Sequence, residues 1–295
     1  MNHPRSHVPF FGGLRAYLTR NDRTEDFYRY QYATLLEKYA VARDHCLDIG
    51  GLRLPLLSDS PHPTREEAYY AMEIGDILFP AVLDKYHYVD EGPYEWGAVQ
   101  LCPGDVVFDC GANIGVFSLL AAMRGAEVYA FEPIEEARQL LQKTLSFNPE
   151  IADAVTIVPA ALGADEGVAE FTVLPDTLVG SSMVLPQTGR QARVPVTTVD
   201  TYAADHGLTV DFLKADIEGA ERQMLAGAQT VLATGPKVAV CTYHLPDDPD
   251  VLSGLLYQAN NRYVLTHKWK KVYGHVPKGQ KTSPESQTLG QKPGK

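Results

Sequence analysis

The chain has 295 residues and a net charge of −11, with 45% hydrophobic and 21% charged residues, which is ordinary globular usage. That length suits one large domain, or a catalytic domain carrying an accessory segment. The acidic balance excludes a broad nucleic-acid surface, which needs clustered Lys and Arg, and no apolar run approaches the roughly 18 residues of a membrane span.

Met1–Pro9 lacks the apolar stretch of a secretory signal, and Cys46, Cys102, Cys110 and Cys241 are widely spaced with no CxxC pair. Both features predict a cytoplasmic chain with free, mostly buried thiols. From Thr24 to Ala42, residues such as Phe27, Tyr30, Leu35 and Tyr39 recur at roughly helical spacing. Gly50-Gly51, inside Cys46–Leu57, predicts a tight hairpin. Thr64 followed three residues later by Glu67 is a capping box that opens a second helix.

From Gly104 to Thr242, short apolar runs alternate with helical segments. Strands are expected at Val106–Cys110, Glu127–Phe131, Val155–Val158, Asp211–Ala215 and Val238–Thr242, with helices over Val116–Arg124, Glu135–Phe147 and from Ala220. A β-rich excursion at Val168–Leu174 and Val194–Val199 interrupts them. Apolar strands alternating with helices predict an α/β fold: a doubly wound, mostly parallel sheet covered on both faces, with right-handed crossovers. A helix over Val251–Ala259 and strands near Tyr263–Thr266 and Lys270–Tyr273 follow. The expected organisation is an N-terminal helical and hairpin accessory segment (1–90), a catalytic domain (91–276) and a disordered basic tail (277–295).

The sharpest motif is Asp109-Cys110-Gly111-Ala112-Asn113-Ile114-Gly115, where a buried strand ends in a glycine turn that opens a helix. Glycines let the backbone approach a ligand, and the helix start offers free N–H groups. The spacing Gly111-x-x-x-Gly115 is neither the GxGxxG of a dinucleotide site nor a P-loop, since no Lys follows Gly115. Asp109 suits a cationic α-amino group, and Glu132, ending the next strand, stands where an acid accepts bonds from ribose hydroxyls. Acid, turn and acid together fit S-adenosylmethionine, released as S-adenosylhomocysteine. The cofactor set is Asp109, Gly111, Asn113, Gly115, Glu132, Glu95 and Ala161.

A second strand–turn–helix, Phe212 to Glu221, places Lys214, Asp216 and Glu218 in alternation, on one side if the extension persists. His244 ends the following strand and is a natural base near neutral pH. Lys214, Asp216, Glu218 and His244 form the catalytic set, with His244 or Asp216 as base and Lys214 stabilising an oxyanion. Asp216, Glu218 and His244 also make an alternative divalent-metal set, against a reading in which no metal is bound. Ser181-Ser182 and Tyr94-Glu95-Trp96 are lesser pocket signals, and Tyr69, Tyr70, Tyr86, Tyr88 and Tyr94 would form a cap or homodimer contact.

At these residues, with Phe131-Glu132-Pro133, Val194 to Asp200 and Gly227-Ala228, the chain resembles the FkbM-like family of S-adenosylmethionine-dependent methyltransferases. The resemblance covers about Glu91 to Leu256. It implies a seven-stranded Rossmann-like sheet with the last strand antiparallel, and O-methylation of a hydroxyl on a small molecule or sugar. It further implies cofactor contacts from Asp109, Gly111, Asn113 and Glu132, with Lys214, Asp216 and Glu218 facing the reacting centre. One departure is Tyr243-His244 followed by Pro246-Asp247-Asp248, where family members often carry an acid or a plain His. Rival readings are a nicotinamide oxidoreductase, disfavoured by the missing GxGxxG, an N-methyltransferase, and a catalytically silent binding module.

Overall fold

The computed structural model describes residues 23–41, 44–57, 64–84, 91–173 and 189–277. Tyr86, Tyr88, Ser181-Ser182 and the expected tail beyond Pro277 lie outside the described residues. The first described elements are helix α1 (Arg23–Tyr39) and the short strand β1 (Ala40–Val41). Strands β2 (Cys46–Ile49) and β3 (Leu52–Pro55) pair antiparallel across Gly50-Gly51. Both glycines take positive φ, 62° and 91°, as the tight turn of a hairpin requires. Helix α2 (Arg65–Leu83) starts on the expected capping box: Thr64 Oγ1 accepts from Glu67 N–H, and the Glu67 carboxylate accepts from Thr64 N–H at 2.6 Å.

The second half of the fold begins with β4 (Val106–Cys110), α3 (Val116–Met123), β5 (Glu127–Phe131), α4 (Glu135–Ser146), the short α5 (Pro149–Ala152) and β6 (Val155–Val158). The β-rich excursion closes into its own small sheet, β7 (Ala161–Leu162), β9 (Arg190–Thr197) and β8 (Gly167–Val173) in that order. Then come α6 (Val199–Asp205), β10 (Phe212–Ala215), α7 (Glu221–Ala226), α8 (Gln229–Thr234), β11 (Lys237–Cys241) and α9 (Asp248–Ala259). The last described elements form the hairpin β12 (Val264–Lys268) and β13 (Lys271–His275). Helix α9 starts at Asp248 rather than the expected Val251, because Pro249 suits a first helical turn.

The main sheet has seven strands in the order β12-β13-β11-β10-β4-β5-β6. It is parallel from β6 to β11, and β13 runs antiparallel to both its neighbours. This is the expected doubly wound α/β architecture, with the last strand reversed. From β4 the chain steps outward to β6, then returns to β10 on the other side of β4. The carboxyl ends of β4 and β10 therefore form a topological switch point, where open α/β sheets bind ligands.

One face of the sheet carries Val107, Phe212, Ala239 and Cys241 against Tyr32 and Leu35 of α1, Ile74 and Leu78 of α2, and Phe117 of α3. The other face carries Phe108, Leu213, Val238 and Val240 against residues of α6 to α9. The accessory helices thus share a core with the sheet, each fully buried large side chain contributing about 1.5–3 kcal/mol. All four cysteines are free, with Cys46, Cys110 and Cys241 buried and Cys102 exposed. No helix among the described residues is long and apolar enough to cross a membrane.

Candidate active site

A cavity of about 1050 Å³, counted to its open mouth, lies at the switch point. Gly111 and Asn113 of the glycine turn, Glu132 after β5, Ala161 of β7, and Lys214, Asp216 and Glu218 at the end of β10 all line it. Tyr69, Met72, Glu73 and Asp76 of α2 form another wall. Acids outnumber cations among its charged lining residues, and its lysines, Lys214 and Lys271, are each engaged by protein oxygens.

The glycine turn is built by packing as much as by any need to approach a ligand. Gly111 has φ +81°, and a Cβ there would stand 2.0 Å from the backbone oxygen of Asp216. Gly115 caps α3 with φ +88°, and its Cβ would stand 2.1 Å from Leu141 Cδ1. Gly115 does not line the cavity; it seats α3 on α4. Asn113, also at positive φ (50°), donates its backbone N–H to Glu132 Oε2 at 2.9 Å. Ile134 N–H donates to Glu132 Oε1 at 2.8 Å. Burial outweighs these bonds and raises the Glu132 carboxyl to about 7.

Asp109, expected at the ligand, is instead buried in an ion pair with Lys214. Strand register sets the two residues side by side on β4 and β10, inside the sheet face. Lys214 Nζ lies 2.9 Å from Asp109 Oδ1 and donates to the Gly111 carbonyl at 2.7 Å, while Ser118 Oγ donates to Asp109 Oδ2 at 2.6 Å. Asp109 is 0% exposed and does not reach the cavity, so a ligand's amino group cannot touch its carboxylate. Although burial opposes the charge on Lys214, Asp109 and Asp216 hold its pKa above the ordinary value. Its ammonium is committed to the turn.

The expected alternation ends at Asp216. Asp216 N–H still bonds Cys110 O at 3.1 Å, but Glu218 and Gly219 take positive φ (53° and 95°) and α7 begins at Glu221. Asp216 sits at the cavity wall, accepting from Tyr94 Oη at 2.7 Å and Tyr243 Oη at 3.2 Å. Burial favours its neutral form, but His244, Lys214 and Lys271 outweigh it and hold the carboxyl below its usual range.

The His244 side chain, 4% exposed, stands behind this wall with Nδ1 3.1 Å from Glu221 Oε1, and Nε2 3.3 Å from Glu218 Oε2 and 3.7 Å from Asp216 Oδ1. Burial opposes its charge, yet the carboxylates raise its pKa to about 11, so an otherwise uncoordinated ring is imidazolium at neutral pH. An imidazolium cannot accept a proton, and this counts against His244 as the base. The Pro246-Asp247-Asp248 departure has a structural use: Asp247 and Asp248 both bind Arg222 of α7.

Glu95 lies elsewhere. Its Oε1 accepts from Leu101 N–H at 2.9 Å, and its Oε2 is 3.9 Å from Arg124 at the far end of α3. Conversely, the sequence reading missed Glu73, Asp76 and Glu91. Glu73 accepts from Asn113 Nδ2 at 3.2 Å, and burial raises its carboxyl to about 8. Burial likewise raises Glu91 to about 7, with Asp216 adding to the effect. The available signal was Tyr69, Glu73 and Asp76 recurring on one stripe of an otherwise apolar helix.

Residues 109–264 match a family model described as the methyltransferase FkbM domain. The 31-O-demethyl-FK506 methyltransferase FkbM of Streptomyces tacrolimicus is 28% identical over 211 residues, spanning 60% of this chain and 75% of that protein. Methyltransferase sdnD of Sordaria araneosa is 26% identical over 155 residues, 41% of this chain and 59% of that one. Among solved structures, methyltransferase FkbM from Methylobacillus flagellatus aligns at 19% identity with a TM-score of 0.49, over 83% of this chain and 58% of that one.

Proposed function

The chain belongs to the methyltransferase FkbM domain family, and on that premise we propose that it moves the methyl group of S-adenosylmethionine to a hydroxyl of a small molecule or sugar. The observation that carries this reading is the charge of the cavity: Glu73, Glu91, Glu132 and Asp216 face a space whose ammonium groups are already engaged. Such a lining suits a cofactor bearing sulfonium and ammonium charges and repels a pyrophosphate. Asn113 fits the same ligand, since its Oδ1 is buried at the cavity without a hydrogen-bond partner among the described residues. Residues 1–90 act as the accessory segment, with α2 walling the cavity, and 91–276 carry the cofactor site.

Bound S-adenosylmethionine supplies a methyl group already activated on sulfur. The protein's part is therefore to align the acceptor and take its proton. Glu132 and Asn113 orient the nucleoside end. Asp216 and Glu218 stand where the acceptor hydroxyl enters, and one of these carboxylates receives the proton. Tyr94 and Tyr243 hold Asp216 in place. Incubation with methyl-labelled cofactor and a panel of polyhydroxylated acceptors, with product NMR, should give O-methyl ethers; label on nitrogen, or on no acceptor, would overturn this reading.

The raised carboxyls give a further expected result. Glu132 and Glu91 sit near 7 and Glu73 near 8 in the free protein, so part of the cluster is protonated at pH 7. A cationic ligand favours the ionised forms, so binding should release protons, and affinity should rise as pH passes through about 7 to 8. Calorimetry at pH 7 in two buffers of different ionisation enthalpy reads the proton count; net proton uptake would contradict the assignment.

A further inference from the structure

The geometry points to a divalent-cation site at the acceptor end of this cavity, formed by Asp216, Glu221 and His244 with Glu218 beside them. One ligand atom from each of Asp216, Glu221 and His244 lies within 4.8 Å of the others. An octahedral cation with bonds of about 2.1 Å holds adjacent ligand atoms roughly 3.0 Å apart and opposite ones roughly 4.2 Å apart. The contacts of His244 Nε2 with Glu218 Oε2 and Asp216 Oδ1, at 3.3 and 3.7 Å, fall in that range, while Glu221 Oε1 lies 3.1 Å from the other ring nitrogen, Nδ1.

Hydrogen bonding gives an independent reason. The His244 side chain is 4% exposed, yet neither ring nitrogen makes a hydrogen bond among the described residues. Each ring nitrogen instead faces carboxylate oxygens at ion-pair distances of 3.1–3.7 Å. Lone pairs converging on a shared cation produce such contacts, whereas a structural histidine pairs its nitrogens. Glu221 repeats the pattern: Oε1 accepts from Ile217 N–H at 2.9 Å, while Oε2 is buried with no partner.

Carboxylate oxygens plus one imidazole suit a first-row cation such as Mn²⁺, with Mg²⁺ as the hard alternative. Asp216 and Glu218 open onto the cavity, so the acceptor hydroxyl can complete the coordination and become more acidic. With Asp216 committed to the cation, Glu218 is left to take the proton. This catalytic use rests on the methyl-transfer reading; the cation site itself does not.

The test is a Mn²⁺ titration of the full chain after chelator treatment, followed by EPR, with calorimetry of S-adenosylmethionine in metal-free buffer alongside. One Mn²⁺ per chain is expected at sub-millimolar concentration, with pulsed EPR detecting a coordinated imidazole nitrogen. Glu221→Gln, which keeps the acceptor for Ile217 N–H, should weaken Mn²⁺ binding at least about tenfold. No Mn²⁺ bound by the wild-type chain at millimolar concentration, bound Mn²⁺ without the nitrogen signal, or unchanged affinity in Glu221→Gln each overturns the site. Cofactor binding without Mn²⁺ binding rejects the cation site alone; Mn²⁺ binding without cofactor binding rejects the methyl-transfer reading alone.

Discussion

Lys214→Met is expected to destabilise the protein by about 3–5 kcal/mol, the cost of breaking a buried ion pair from one side. Met matches the length of the lysine stem but leaves the Asp109 carboxylate, 0% exposed, facing a thioether instead of an ammonium 2.9 Å away. It also leaves the Gly111 carbonyl without the donor at 2.7 Å that secures the turn. Urea denaturation followed by circular dichroism measures the effect as a lowered midpoint at unchanged slope. Adding Asp109→Leu should recover a large part of the loss, because an apolar pair no longer strands a charge. A single variant within about 1 kcal/mol of wild type would mean that Lys214 is free to serve the substrate after all.

Asp216→Asn is expected to reduce kcat by about 10²–10⁴, the usual range for removing a positioned acid–base group. Asn keeps the size of the side chain and can still bond the Tyr94 and Tyr243 hydroxyls, now 2.7 and 3.2 Å away, so the wall should stay in place. Only the capacity to hold a proton or a positive charge is lost. Cofactor affinity, measured separately, should therefore change by less than about tenfold. A kcat loss smaller than tenfold would remove Asp216 from the chemistry.

The fold was legible in the sequence to within a few residues, because the signals are local. Short apolar runs and helical spacing marked β4 to β6 and β10 to β13, the Thr64 box marked α2, and Gly50-Gly51 marked the hairpin. The glycine turn and Glu132 were legible for the same reason: each sits where a strand ends. The rest depended on register and on tertiary approach. Nothing in the chain says that Asp109 and Lys214 fall opposite one another, so the sequence does not show that Asp109 is buried behind the cavity in an ion pair with Lys214, which lines it. Nor does it say that α2 crosses the mouth of the sheet and brings Glu73 and Asp76 to the cavity. Glu95 misled because adjacency to Tyr94 in sequence is not adjacency in space: Tyr94 packs on Phe117 at the start of α3, whereas Glu95 faces Arg124 just past its end. His244 was placed correctly near Asp216, but only its three carboxylate neighbours reveal its charge.

The central claim is that the acidic cavity at the β4/β10 switch point takes a cationic adenosyl cofactor. Calorimetric titration of the purified chain with S-adenosylmethionine, S-adenosylhomocysteine and NAD tests it directly. Micromolar binding of the first two and none of NAD is the predicted result; binding of NAD, or of none of the three at millimolar concentration, would contradict it.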